Sequence, residues 1–197
     1  PNALPGTTPG ECSHPVCPCK YLLYNDPLEG LMDRHVGPEA PEYYRRSAER
    51  LLAHADNERW GYIFESLGLL CDLLSDKCDL TIRIRRAYLD GDRNAVRRLA
   101  HEDIPAVIAK LDAFIVAFRR QWYAENKTFG FATEEQRLGG LRQRLDSVKL
   151  RLEAWLSGET DRIEELEQPV LSHDGRAADD PRTPYINYNS WAGTVTA

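Results

Sequence analysis

The chain has 197 residues, of which 42% are hydrophobic and 28% are charged. This length and composition predict one large domain or two small ones with a sizeable core, and exclude a disordered chain or a small disulfide-stapled scaffold. The net charge of −6 argues against a nucleic-acid partner. No apolar run approaches the roughly 20 residues that span a bilayer, so we expect no membrane partner.

The first 19 residues are rich in proline and glycine, and we interpret them as a linker or strap. The chain begins with Pro1 rather than Met and has no basic start before an apolar stretch. We therefore expect a fragment or processed product of a longer polypeptide, without a signal peptide. The odd number of cysteines, five, argues against a full disulfide framework, and free thiols favour a cytoplasmic location.

Four soft metal ligands lie within eight residues of this stretch. They are Cys12, His14, Cys17 and Cys19. Such ligands can hold a tetrahedral zinc ion, but structural zinc sites usually pair two short ligand knuckles across a loop. These four crowd one proline-stiffened stretch, so an ordered linker is favoured and no cofactor is expected.

Helical patterns dominate from about residue 41 to 157, after Asp26 and Pro27, which together predict the N-cap and first turn of a short helix. In 60–74 the apolar side chains share one helix face. They are Trp60, Ile63, Phe64, Leu67, Leu70, Cys71 and Leu74. Cys71 and Cys78 are about 10 Å apart on such a helix, too far for a disulfide, and are interpreted as buried thiols.

The next helical stretch is expected to start at an Asp92 cap, and Pro105 either kinks a long helix or opens a new one. Its apolar stripe comprises Val107, Leu111, Phe114, Ile115, Phe118 and Trp122. Residues 126–130 interrupt the pattern.

A capping box of Thr133 and Gln136 then predicts a new helix, and Gly158 predicts its end. Its apolar side chains form a heptad seam. The seam comprises Leu138, Leu141, Leu145, Val148, Leu152 and Trp155. An internal bundle and a second copy of the chain are both compatible with this seam. Gly139 and Gly140 each cost about 1 kcal/mol in a helix, which predicts close approach of another backbone there.

The chain changes character after Glu167, where prolines recur and the helical period stops. Together these patterns predict an all-α fold, a bundle of about five to six helices with irregular N- and C-terminal segments. We divide the chain into a linker (1–19), a helical domain (20–167) and an irregular tail (168–197).

Basic residues flank the heptad seam and could form an anion-binding stripe. They are Arg142, Arg144, Lys149 and Arg151. Given the negative total charge, pairing with acidic neighbours such as those in 159–167 is the favoured interpretation. No histidine lies in a recognisable nucleophile context, and no phosphate-binding loop is present.

The segment 118–131 combines rings with arginines and an asparagine, and then runs into Arg137. Aromatic faces beside such groups are typical of sugar or peptide surfaces. A tightly packed corner between two helices is the favoured alternative. The candidate contact residues are Trp122, Asn126 and Arg137.

Three stretches of the chain carry a resemblance to a known family. They are 21–33 with Tyr24-Asn25-Asp26-Pro27-Leu28, 67–88 with Cys71 to Leu80, and 118–145 with Arg137-Leu138-Gly139-Gly140-Leu141. In this order they resemble the helical domain that follows the barrel in bacterial family 20 glycoside hydrolases, the exo-β-N-acetylhexosaminidases. The resemblance covers roughly residues 20–167.

The resemblance implies a parent enzyme that removes terminal N-acetylglucosamine or N-acetylgalactosamine. In such enzymes the acetamido oxygen of the substrate attacks the anomeric carbon, and an adjacent Asp-Glu pair in the barrel orients it and supplies the acid. This chain contains no Asp-Glu dipeptide and lacks the length and strand pattern of a barrel of about 250 residues. We therefore assign it no catalytic residue.

The leading hypothesis is a non-catalytic C-terminal module that braces the barrel of the same polypeptide and forms a homodimer interface. Under this hypothesis Trp122, Asn126 or Arg137 contributes a contact to the sugar site of the parent or its dimer mate. A free-standing helical interaction module is the alternative from another class, and a zinc-stabilised adaptor built on Cys12 to Cys19 is a third.

Overall fold

The computed structural model describes residues 22–30, 33 and 36–169. Every regular element in this part is helical, which confirms the all-α class. After a helical turn at residues 22–24 the α-helices are α1 (Ala40–Leu52), α2 (Gly61–Lys77), α3 (Leu80–Leu89), α4 (Arg93–Arg98), α5 (Ile104–Glu125), α6 (Phe131–Ser157) and α7 (Glu164–Glu167). Five of these have ten or more residues, as the predicted bundle requires. The predicted linker and the tail beyond residue 169 lie outside the described residues.

Helix α2 lies between α1 and α5, and α6 packs along α5 and α4. A glycine permits the close approach of α1. A Cβ atom at Gly68 would lie 2.7 Å from Cδ2 of Leu52, well inside van der Waals contact. The α1–α2 pair is therefore packed through a small residue rather than through interdigitating large ones.

Helices α4 and α5 are joined by a π-helical turn, Leu99–Asp103, so the chain stays helical from Arg93 to Glu125. Pro105 is the second residue of α5, directly after this turn. Proline has no N–H to donate to the preceding turn, and a wider helical turn accommodates that loss. The predicted Asp92 cap is confirmed, since its carboxylate accepts from the N–H groups of Asn94 and Ala95 at 3.1 and 2.9 Å.

The heptad seam of α6 lies in the core of its own chain. Its five aliphatic side chains, from Leu138 to Leu152, are at most 3% exposed, and Trp155 packs against the same core. The internal alternative is therefore confirmed, and this seam is not free for a second copy. Gly139 does not mediate a close approach, because a Cβ atom there would meet nothing within 4 Å.

The N-cap of helix α6 lies three residues earlier than the capping box predicts. Gly130, at φ +98°, is its N-cap, and Phe131 is buried at the first helical position. The predicted Thr133 cap is wrong, because the N–H of Thr133 already donates to the Gly130 carbonyl at 3.1 Å. Burial of the Phe131 ring outweighs the local capping preference. The predicted end is confirmed, with Gly158 at φ +80°.

The apolar face predicted in 60–74 exists, but it is only partly covered. Leu74 is fully buried, whereas Trp60 is 43% and Leu67 is 44% exposed. The side chains that α2 buries are mainly small or polar, because its neighbours lie on the flanks of that face. They are Gly61, Ser66, Gly68, Leu73, Leu74, Ser75 and Lys77. We call Trp60, Ile63, Phe64, Leu67, Leu70 and Cys71 the α2 apolar face.

Candidate functional sites

An aromatic cluster closes the corner between α5 and α6. The Trp122 ring lies 5.7 Å from Phe131 and 6.2 Å from Phe118, and Tyr123 lies 5.4 Å from Phe131, measured between ring centroids. The inner rings fit the packed-corner interpretation of this segment. The outer rings do not, because Tyr123 is 50% and Phe129 is 86% exposed.

Tyr123 lies in the last turn of α5, and the loop that follows and carries Phe129 is joined to α5 by two hydrogen bonds. The indole Nε1 of Trp122 donates to the Lys127 carbonyl at 3.0 Å, and the N–H of Asn126 donates to the Trp122 carbonyl at 2.8 Å. Trp122 and Asn126 therefore stand one turn apart at the end of α5. Arg137 lies on α6, where it pairs with Glu134 at 3.0 Å.

The four basic residues beside the seam all have carboxylate partners. Arg142 pairs with Asp112 and Asp146, Arg144 with Asp26, Lys149 with Glu153, and Arg151 with Glu164 and Glu165. The pairing interpretation is confirmed, and the acidic stretch after Gly158 supplies part of it. An anion-binding stripe would need these cations free.

Polar contacts that the sequence analysis did not predict bind residues 22–30 to the helical bundle. We call these residues the leading segment. Lys77 is only 3% exposed, and its Nζ donates to the carbonyls of Leu22 at 3.1 Å and Asn25 at 2.9 Å. Burial lowers the pKa of Lys77 to about 8, against the opposing attraction of Asp26 and Asp33. A buried ammonium thus fixes the start of the leading segment to the last turn of α2.

Arg85 on α3 ties the leading segment to the C-terminal end of the described chain. Its Nη2 donates to the carbonyls of Leu28 at 2.6 Å and Glu29 at 3.3 Å. The same guanidinium donates to the carbonyls of Glu165, Leu166 and Gln168 at 2.8 to 3.2 Å. One side chain therefore joins the beginning and the end of the described chain.

Arg144 completes what we call the cationic anchor, namely Lys77, Arg85 and Arg144. Its guanidinium donates hydrogen bonds to both carboxylate oxygens of Asp26, at 2.6 and 3.1 Å. Burial raises the pKa of Asp26, but Arg144 and the N–H groups of Leu28 and Glu29 outweigh burial and leave it below its usual range. Asp26 caps as predicted, but residues 27–29 form a single turn rather than a short helix.

Asp33 lies at the edge of the anchor and accepts from the Asn25 amide at 3.0 Å. Burial raises its pKa to about 6.

Asp26, Lys77, Arg85 and Arg144 come from the three stretches that carry the family resemblance, and these stretches meet at the anchor. In the sequence, only the family resemblance of these stretches links the four residues, and no local pattern predicts that they meet.

Neither Cys71, in α2, nor Cys78, directly after it, forms a disulfide, as predicted. Cys78 is buried as predicted, but Cys71 is only half-buried. In the part of the chain that the structure describes, no group of three or more His, Cys, Asp or Glu side chains could hold a metal ion. The predicted alternative zinc ligands Cys12, His14, Cys17 and Cys19 lie outside that part. No described helix is both long enough and apolar enough to cross a membrane.

These features define an all-α domain whose leading segment is held against its bundle by Lys77, Arg85 and Arg144. A sequence model of the family described as Glycoside Hydrolase 20C C-terminal domain matches residues 1–184, and the chain belongs to this family. The resemblance identified from the three stretches is thereby confirmed. A search of curated proteins found no match to the chain.

Proposed function

We propose that the chain is the non-catalytic C-terminal module of a β-N-acetylhexosaminidase, which releases terminal N-acetylhexosamine. In this proposal residues 1–19 link it to a catalytic barrel, residues 20–167 form the helical domain, and residues 168–197 form a tail. The module braces the barrel and contributes to a homodimer interface. A cytoplasmic location, without a nucleic-acid or membrane partner, belongs to the same proposal and is supported by Cys71 and Cys78, which form no disulfide.

The cationic anchor is the observation that supports bracing. A domain joined ahead of the leading segment would be attached to a segment held by Lys77, Arg85 and Arg144 rather than to a loose hinge. Removing one partner of such a buried hydrogen bond costs about 1–3 kcal/mol. The bundle would therefore offer a fixed attachment point to the linker that joins it to the barrel.

Activity measurements test this proposal directly. The 197-residue chain should not cleave a chromogenic N-acetylhexosaminide, whereas the parent enzyme should. Deleting the module from the parent should lower its melting temperature and its activity together. Cleavage by the chain alone would contradict the assignment, and a parent that loses neither stability nor activity would contradict bracing and favour a free-standing interaction module.

The aromatic corner supports a subsidiary part of the proposal, that Trp122, Asn126 or Arg137 contacts the sugar in the parent or its dimer mate. Its outer face carries two exposed rings, Tyr123 at the end of α5 and Phe129 on the loop that follows. Trp122→Ala in the parent should raise KM about two- to twelvefold, as loss of a ring contact of roughly 0.5–1.5 kcal/mol would.

The control for this measurement is Tyr43→Ala, which removes an exposed ring from α1. Asn126→Ala serves as a second variant, because it leaves the packed rings of the corner intact. If Trp122→Ala and Asn126→Ala both leave KM and kcat unchanged, the sugar contact is dismissed.

A further inference from the structure

The α2 apolar face is a continuous strip of half-covered apolar side chains. Trp60, Phe64, Leu67 and Cys71 follow a spacing of 4, 3 and 4 residues, the repeat by which one helix packs against another. Leu67 is 44% and Trp60 is 43% exposed, and Leu52, which lies over Gly68 beside the strip, is 36% exposed. Single exposed apolar residues are ordinary, but a contiguous strip marks an interaction surface.

The described chain starts at one end of this face. The carbonyl of Leu22 lies 3.1 Å from Nζ of Lys77, in the last turn of α2. Lys77 follows Leu70 by seven residues and Ile63 by fourteen, so the three side chains point to nearly the same side of the helix. Whatever is joined ahead of Leu22 is therefore tethered at the C-terminal end of the α2 apolar face.

The tether is long enough to reach the whole face. From Trp60 to Cys71 the face extends about 17 Å at 1.5 Å per residue. The 21 residues ahead of Leu22 can span at most about 70 Å. A domain linked in this way has an effective concentration on the order of millimolar at the face, which a free second copy reaches only at comparable protein concentration.

We propose that the α2 apolar face is the docking surface for the catalytic domain that precedes this module in the same polypeptide. This inference rests on the proposed function and names the surface through which bracing operates. The matching patch on the catalytic domain is apolar, since the six residues of the face carry no charge. Docking there removes Leu67 and Trp60 from water and fixes the domain at a second place besides the cationic anchor.

Thiol labelling tests the inference with one matched pair of variants. Leu67→Cys places a thiol on the face, and Leu150→Cys places one at a 60% exposed site on α6. Each is introduced into the chain and into the parent enzyme, labelled with a maleimide, and quantified by peptide mass spectrometry beside the native cysteines. Labelling of Leu67→Cys should be at least about tenfold slower in the parent than in dilute chain, and labelling of Leu150→Cys should be equal in both.

Three results would overturn the inference. Equal labelling of Leu67→Cys in chain and parent would show that the face stays open. Protection in the parent that appears only as concentration rises would assign the face to a second copy. Slow labelling of Leu67→Cys in the chain alone, independent of concentration, would show that other residues of the same chain cover the face.

A charge substitution keeps the inference testable if the cysteine variants fold poorly. Leu67→Lys should lower the melting temperature of the parent but not of the chain at a dilution where the chain is monomeric, while Leu150→Lys should lower neither. Loss of stability in both proteins would make Leu67 a folding residue and contradict docking. The proposed function is tested separately, because deletion of the module can still lower the activity of the parent even if Leu67 is exposed to solvent there.

Discussion

At the scale of single residues, the least expected feature is a lysine that is more buried than many leucines. Lys77 satisfies its ammonium with two backbone carbonyls, and Asp26, Asp33 and Cys78 are the ionisable groups that act on it. Burial of the charge is costly, which lowers its pKa to about 8 from an ordinary value near 10.5. The leading segment is thus held by a group whose charge is itself destabilising.

This cost predicts a pH-dependent stability. Between pH 8 and 10.5 the unfolded chain binds the Lys77 proton and the folded chain does not, so stability rises with pH in that window. Below pH 8 the lysine is charged in both states and the cost is fully present. Relative to Lys77→Met, the natural chain should gain about 3 kcal/mol from pH 8 to 10.5, measured by urea unfolding at each pH.

Lys127→Met is the matched control, because Lys127 lies in an exposed loop. Its unfolding free energy should run parallel to that of the natural chain across the whole pH range. If Lys77→Met also runs parallel, the lysine is not buried as a charge in the folded state.

At the scale of elements, the ends of α6 show which local signals decide a helix boundary. Both ends carry a glycine with positive φ, Gly130 and Gly158, a conformation that a side chain makes strained. Thr133 has the right spacing for a cap but lies inside the helix. The buried ring of Phe131 sets where the helix starts.

Two substitutions separate these explanations. Gly130→Ala should cost about 1–2 kcal/mol, because alanine is strained at φ +98°. Thr133→Ala should change stability by less than about 0.5 kcal/mol, whereas loss of a true N-cap typically costs about 1 kcal/mol. Urea unfolding of the chain measures both, and the reverse order of effects would restore the capping box.

The sequence patterns correctly predicted those features of the fold that depend on residues close together in the chain. The α6 seam, the Asp92 cap and the Gly158 end each depend on residues a few positions apart, and all three are confirmed. The period of 60–74 identified a helix face but not its coverage, since coverage depends on where α1 and α5 pack. The anchor joins Lys77 to Leu22, 55 residues away, and no periodicity encodes such a pairing.

At the scale of the whole molecule, the exposed face predicts self-association of the chain when no catalytic domain covers it. Light scattering at rising concentration should show a dimer, because helix faces with heptad spacing pack on one another. Leu67→Lys should weaken this dimer and Leu150→Lys should not. A chain that remains monomeric at every concentration contradicts the prediction.

Arg85 has a consequence for how the domain sits within a longer polypeptide. Because its guanidinium binds the carbonyls of both Leu28 and Gln168, the leading segment and the last described residues are held by one side chain. In a longer polypeptide, a force on the leading segment from an upstream domain would therefore also reach the residues directly after α7.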